Sequence, residues 1–200
     1  VEAMLLAHNV PQWYLESCKK IKYMFPKAHA VAYLIAAIRL MWFKVYHPLE
    51  YYATHFTVRG DDLDYEAAVG GPKVAKQHLR EINARLKEEK NNKDEDLLTS
   101  LQLVNEMLVR GYEFSPICLG KSMAKRYIVE DGKIRLPFLS LKGVGETAAA
   151  ALEAATIKGQ KYLSCEELQQ ACGASGTVME KLRTVGALGD LPATSQVSLF

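Results

Sequence analysis

Apolar residues recur along most of this chain at the three- and four-residue spacing of one helix face, so the organisation is mostly helical. Pro11 suits the first turn of a helix running to about Tyr23. A second helix begins near Pro26 and continues to about Tyr46, where His47-Pro48 interrupts it. Pro48 opens a third, with Leu49, Tyr52 and Phe56 on one face. Asp61 and Asp62 read as caps for a short helix ending at Gly70-Gly71-Pro72. From Lys73, the spacing of Val74, His78, Leu79, Ile82 and Leu86 is that of an amphipathic helix. The polar run Lys87 to Lys93 then reads as a linker.

Beyond it, Asp94, Glu95 and Asp96 sit where a helix N-terminus favours acids, and Arg110-Gly111 makes a matching end. A non-helical interval follows. Arg126 to Glu130 and Lys133 to Leu136 flank Asp131-Gly132, a two-residue hairpin signal. Three short helices close the pattern: Gly145 to about Ile157, Ser164 to Cys172, and about Gly176 to Val185. Ser164 with Glu167 has the spacing of a capping box. Asp190 to Phe200 shows no periodicity and reads as a tail.

Composition narrows the classes. With 49% hydrophobic and 24% charged residues the chain can bury a core, which excludes wholesale disorder. Twenty-five Lys and Arg against 23 Asp and Glu leave +2, too weak a field to grip nucleic acid by bulk charge. Any such binding must come from a local patch. The longest apolar stretch, Ala30 to Phe43, is broken by Arg39 and falls short of the roughly 18–20 residues of a membrane span, so no membrane partner is expected. Val1–Val10 has no basic flank of the kind a signal peptide carries, and opening on Val suggests a piece of something longer. Cys18, Cys118, Cys165 and Cys172 contain no C-x-x-C pair, so reduced thiols are expected and a zinc site is not.

Four features bear on chemistry. Leu141-Lys142-Gly143-Val144-Gly145-Glu146-Thr147 places Gly-x-Gly after an apolar residue and before a helix with small inner residues, the pattern of a helix-hairpin-helix motif. Glycines bring the backbone close to a ligand, and the N–H groups opening the next helix point at an anion. A DNA phosphate suits them, and such contacts hold a duplex without reading its sequence. Glu146 lies in that first turn and competes for the same donors; an ordinary turn between packed helices fits the same residues. Between Ser17 and Leu49 there is no acidic residue, while Lys19, Lys20, Lys22, Lys27, Arg39 and Lys44 occur, with Tyr23, Phe25 and His29 interleaved. Basic groups with aromatics suit phosphate neutralisation plus base stacking, although a solvated basic helix beside core aromatics has the same composition. The ending Gln196-Val197-Ser198-Leu199-Phe200 is built like a linear docking peptide, one polar and two apolar anchors. Asp61-Asp62-Leu63-Asp64 contains the Asp-x-Asp of paired-metal sites, but a helix start keeps Asp62 and Asp64 off one face, and capping is the preferred reading. The histidines form no His-x-x-x-His pair.

Phe25-Pro26-Lys27-Ala28-His29-Ala30 followed by Ala32-Tyr33 resembles the fingers of bacterial replicative DNA polymerase III α subunits. The Phe-Pro-Lys form, with the Gln-Val-Ser-Leu-Phe tail after the hairpin, is similar to the PolC type of Gram-positive bacteria, over essentially the whole chain. The resemblance implies a mainly α fold: a helical fingers subdomain, then a small helix-hairpin-helix domain with one β-hairpin. It divides the chain into distal fingers at 1–92, a duplex-binding domain at 93–189 and a sliding-clamp-binding tail at 190–200. It implies nucleotide or template contacts at Lys22, Tyr23, Phe25, Lys27 and His29, and DNA phosphate contacts at Lys142, Gly143, Val144, Gly145 and Thr147. Clamp contacts would fall on Gln196, Val197, Ser198, Leu199 and Phe200. Partners would be template-primer DNA, an incoming dNTP and a sliding clamp, in the cytoplasm of a bacterial replisome. The catalytic palm with its Mg²⁺ would lie outside this chain, leaving it with no cofactor, catalytic or metal-binding residue of its own and inactive alone. Two other classes stand beside this one: a free-standing helix-hairpin-helix DNA-binding protein, and a small metal-dependent hydrolase using Asp61–Asp64.

Overall fold

A computed structural model of the chain describes residues 1–21, 26–60, 63–156 and 159–194. They divide into two compact units, Val1–Trp42 and Phe43–Phe200.

The first unit holds α1 (Glu2–Ala7), α2 (Gln12–Lys20) and most of α3 (Lys27–Tyr46). Helix α1 carries no sequence signal strong enough to predict it, being under two turns long. Pro11 is the cap of α2 rather than its first residue, because its extended backbone (φ −60°, ψ 138°) leads into the helix at Gln12. Helix α2 stops at Lys20, short of the predicted Tyr23, as Ile21 turns extended. Lys19 pairs with Glu2 at 2.5 Å across the two helices, an exposed contact of little energetic weight. Helix α3 matches the prediction from near Pro26 to Tyr46 and corrects only the length read for its apolar run. Arg39 lies within one continuous 20-residue helix that is long and apolar enough by length and composition to cross a membrane. No residue of α3 is buried, and Leu34, Ile38 and Trp42 are among its exposed apolar side chains.

The second unit is built on α4 (Pro48–Arg59), α5 (Tyr65–Glu88) and α6 (Asn92–Val109). Tyr52 and Phe56 of α4 are fully buried, as the helical spacing requires. Helix α5 is the two predicted helices run together across a break at Gly71 (φ +81°), which Pro72 follows. Its cap is Asp64, whose Oδ1 accepts the Ala67 N–H at 3.0 Å; Asp61 and Asp62, the predicted caps, lie outside the described residues. The run Lys87–Lys93 is not a loose linker. Helix α5 continues to Glu88 and α6 starts at Asn92, capped by Asn91. Arg85 clamps Asp94 across the turn with two hydrogen bonds, of 3.1 and 3.2 Å. The two helices pack along one another, so this charged run is helix ends joined by a tight turn.

The hairpin appears as predicted, β2 (Ile128–Glu130) against β3 (Lys133–Arg135), with Asp131 (φ +51°) and Gly132 (φ +74°) supplying the turn. A third strand, β1 (Phe114–Ser115), joins β3 in parallel, giving the order β1-β3-β2. The rings of Phe114 and Tyr127 pack on Phe56 with centroids 5.5 and 5.7 Å away, seating α4 on this sheet. Helices α7 (Glu146–Thr156), α8 (Cys165–Cys172) and α9 (Gly176–Thr184) follow and bury Leu152, Leu168 and Leu182 completely. Ser164 caps α8 as predicted, accepting the Glu167 N–H, while Glu167 reaches back to the N–H of Leu163. The predicted tail starts later than Asp190. The carbonyls of Pro192 and Ala193 accept the Cys165 and Glu166 N–H groups, at 2.8 and 3.3 Å. Helix α8 cannot satisfy these opening donors itself, so the passing chain does.

Candidate nucleic-acid interface

The Gly-x-Gly segment is placed by its apolar neighbours. A single 3-10 turn, Phe138–Ser140, precedes it where the motif pattern calls for a helix, and Phe138 is fully buried. Leu141 and Val144 are buried too, and the Val144 N–H donates to the Leu141 carbonyl at 3.0 Å. Val144 is therefore the inner anchor of the turn, which leaves Lys142, Gly143, Gly145 and Thr147 as its exposed members. Gly143 stands at φ +88°, a conformation costly for any other residue, and a Cβ there would strike the Lys181 ammonium. Lys181 of α9 donates to the Lys142 carbonyl and so holds the turn from behind. Gly145 has neither constraint: its φ is ordinary and the space around it is open. The Ala149 N–H donates to the Gly145 carbonyl at 2.9 Å. The N–H groups of Glu146, Thr147 and Ala148 thus open α7 without an intrahelical acceptor, the donor arrangement an anion needs.

Two clefts flank the turn. One, of about 400 Å³, is lined by Lys93, Lys125 and Lys142, by Gly143–Glu146, and by Phe56 and Tyr127 at its base. The other, of about 420 Å³, sets Lys142 and Lys181 against Asp64 and Glu66. Charge separates them: three cations and one carboxylate in the first, an even balance in the second. The loop bearing Lys125 is fixed against the turn by the Phe138 and Leu139 N–H groups, which donate to the Met123 and Ala124 carbonyls at 2.9 and 3.0 Å. The Ala124 N–H in turn donates to Glu153 of α7. Glu146 does not fold back over the helix-opening amides. Its exposed carboxylate faces Lys125 Nζ at 3.6 Å. Neither Lys93 nor Lys125 was singled out by sequence reasoning, because both lie far from the Gly-x-Gly in the chain and only the packing of α6 and the pre-hairpin loop brings them to it.

The remaining predicted residues fall elsewhere. Lys27 and His29 are both exposed in the first turn of α3. Two positions apart on a helix, they point to different sides, so they do not form one pocket. The His29 ring leans on Tyr33, with centroids 4.6 Å apart. Lys22, Tyr23 and Phe25, and the whole of Gln196, Val197, Ser198, Leu199 and Phe200, lie outside the described residues. Asp64 is engaged by the Ala67 N–H and by His78 Nδ1 at 2.6 Å, and among the described residues no three His, Cys, Asp or Glu side chains converge on a metal position.

Residues 111–197 match the helix-hairpin-helix motif family, which takes in the turn, both clefts' α7 and α9 walls and the sheet. The likeness does not stop there. DNA polymerase III PolC-type of Listeria innocua is 44% identical over 200 residues, all of this chain. The chain is homologous to a segment of PolC-type DNA polymerase III. The Streptococcus suis protein of that name is 44% identical over 96% of the chain, and the Listeria monocytogenes one 43% over all of it. The chain spans about 14% of the length of these PolC-type relatives. Identity reaching through residues 1–110 is what a free-standing helix-hairpin-helix protein leaves unexplained, and it agrees with the Phe25–Tyr33 signature.

Proposed function

We propose that this chain is the part of a replicative DNA-directed DNA polymerase that grips the newly made duplex through its backbone and ties the enzyme to its sliding clamp. The observation that carries the reading is the Gly143 turn, whose exposed backbone and unsatisfied α7 amides lie beside a lysine-lined cleft. Lys142, Gly143, Gly145 and Thr147 hold phosphate oxygens, and no base edge is read. Residues Lys22, Tyr23, Phe25, Lys27 and His29 serve the incoming dNTP and the templating base, Lys27 as a point charge for phosphate and Phe25 as a stacking face. Gln196 to Phe200 dock on the clamp. The functional division is fingers at 1–92, then a duplex-binding domain that takes in the strap at Pro192 and Ala193, then the clamp-binding segment Gln196 to Phe200, in a cytoplasmic replisome. Mg²⁺ and its carboxylates belong to a palm elsewhere in the polymerase; Asp64, occupied by a cap bond and His78, does not fit such a site.

Fluorescence anisotropy with two duplexes of unrelated sequence tests the grip. The chain should bind both equally, weakly, and with a shallow salt dependence, since each neutralised phosphate adds about 0.9 to the log–log slope. Gly143→Val should abolish binding, while Gly145→Ala, in open space at ordinary φ, should leave the turn intact. A marked preference for one duplex, or full binding by Gly143→Val, refutes backbone-only recognition.

A further inference from the structure

The cleft beside the turn holds more positive charge than the hairpin motif accounts for. Lys93 comes from the first turn of α6 and Lys125 from the loop ahead of β2, yet both line the same 400 Å³ cleft as Lys142 and the Gly143–Gly145 backbone. Neither Lys93 nor Lys142 makes an ion pair among the described residues. Lys125 does, with Glu146, the one carboxylate lining this cleft. That pair is open to solvent, the two side chains being 53% and 79% exposed, so it is cheap to break. The opposite cleft offers no comparable seat, because Asp64 and Glu66 cancel its two lysines.

We propose that Lys93 and Lys125 bind a second backbone phosphate of the duplex strand whose first phosphate sits on the Gly143 turn, and that Glu146 is a displaceable counter-ion holding Lys125 until DNA arrives. The inference rests on the duplex-binding reading and adds a direction to it: the strand leaves the turn over α6, not over α9. The carboxylate competes with phosphate for one ammonium, so it weakens the grip and keeps the polymerase from holding any single register tightly. A duplex that must slide through the protein at every step of synthesis needs such a weak, exchangeable hold.

The test compares the unaltered chain with Glu146→Gln, Lys93→Ala, Lys125→Ala and, as a control for net charge, Glu166→Gln on α8, an exposed residue outside both clefts. The probe is a fluorescent duplex titrated at several salt concentrations. Glu146→Gln should tighten binding about two- to five-fold at low salt, the range of an exposed ion pair. Each lysine variant should weaken binding, and the two substitutions together should flatten the slope by about 0.9, because the two lysines share one phosphate. A gain from Glu166→Gln equal to that from Glu146→Gln would reduce the effect to bulk charge and overturn the proposal. So would unchanged binding and slope in both lysine variants while Gly143→Val still abolishes binding, a result that leaves the duplex grip standing. No binding by any of the proteins, the unaltered chain included, defeats the grip itself.

Discussion

Tyr52 shows how a single hydroxyl can organise charged neighbours. It donates to Glu106 and accepts from Arg110, both at 2.9 Å, and Lys44 reaches the same carboxylate at 2.8 Å. Burial pushes the Tyr52 phenol up to about 12, with Glu106 adding and Arg110 opposing. Burial works against ionisation of Glu106, but the hydrogen bonds from Lys44 and Tyr52 outweigh it and hold the carboxyl below its ordinary value. Tyr52→Phe removes only the oxygen and should cost about 1–3 kcal/mol, read from urea unfolding. A loss under 0.5 kcal/mol would mean water replaces the hydroxyl at no cost. His78 makes a second such contact. The hydrogen bond that the ring donates to Asp64 raises the imidazole above its ordinary 6.5, against a smaller effect of burial. A raised folded-state value stabilises the protonated form, so the contribution is full below pH 6.5 and fades as pH rises through the raised value. The stability gap between the unaltered chain and His78→Ala should therefore narrow from pH 6 to pH 9, and a gap constant across that range would show that the ring acts by packing alone.

Between elements, the decisive joins are short. The Pro192 and Ala193 carbonyls close the first turn of α8 with two hydrogen bonds, each worth about 0.5–1.5 kcal/mol net. A chain ending at Asp190 should unfold at a lower temperature than one ending at Thr194, by several degrees for a molecule of this size. Equal melting of the two would mean that solvent caps α8 as well. This strap, the strand β1 and the helix α1 are what the sequence did not disclose, for one physical reason. Periodicity needs several residues to show, and β1 has two, α1 six, and an extended strap no buried face at all. Longer elements were legible, α3 and α6 nearly to their ends, and so was the Asp131-Gly132 turn. The charges of 87–93 were misleading because helix termini and linkers favour the same residues; Arg85 and Asp94 distinguish them only once the two helices are seen to pack. The site divides the same way. The Gly143 turn is written in consecutive residues, whereas Lys93, Lys125 and Lys181 reach it through tertiary structure alone.

Across the molecule, recognition is proposed at two ends: a turn that holds DNA and a terminal peptide that holds a ring. Neither need be strong, because two modest contacts on one DNA act at high effective concentration. The peptide should bind at about micromolar affinity, near −8 kcal/mol. Burying Leu199 and Phe200 contributes roughly 1.5–3 kcal/mol each, so ending the chain at Ser198 should weaken the clamp by two to four powers of ten or so. Titration of a labelled clamp with both forms decides it, and equal binding would remove the tail from the mechanism. The strap on α8 also has a mechanical side. With the Pro192 and Ala193 carbonyls bound to the Cys165 and Glu166 amides, a pull applied beyond Ala193 is borne by the first turn of α8 and passes straight into the buried core.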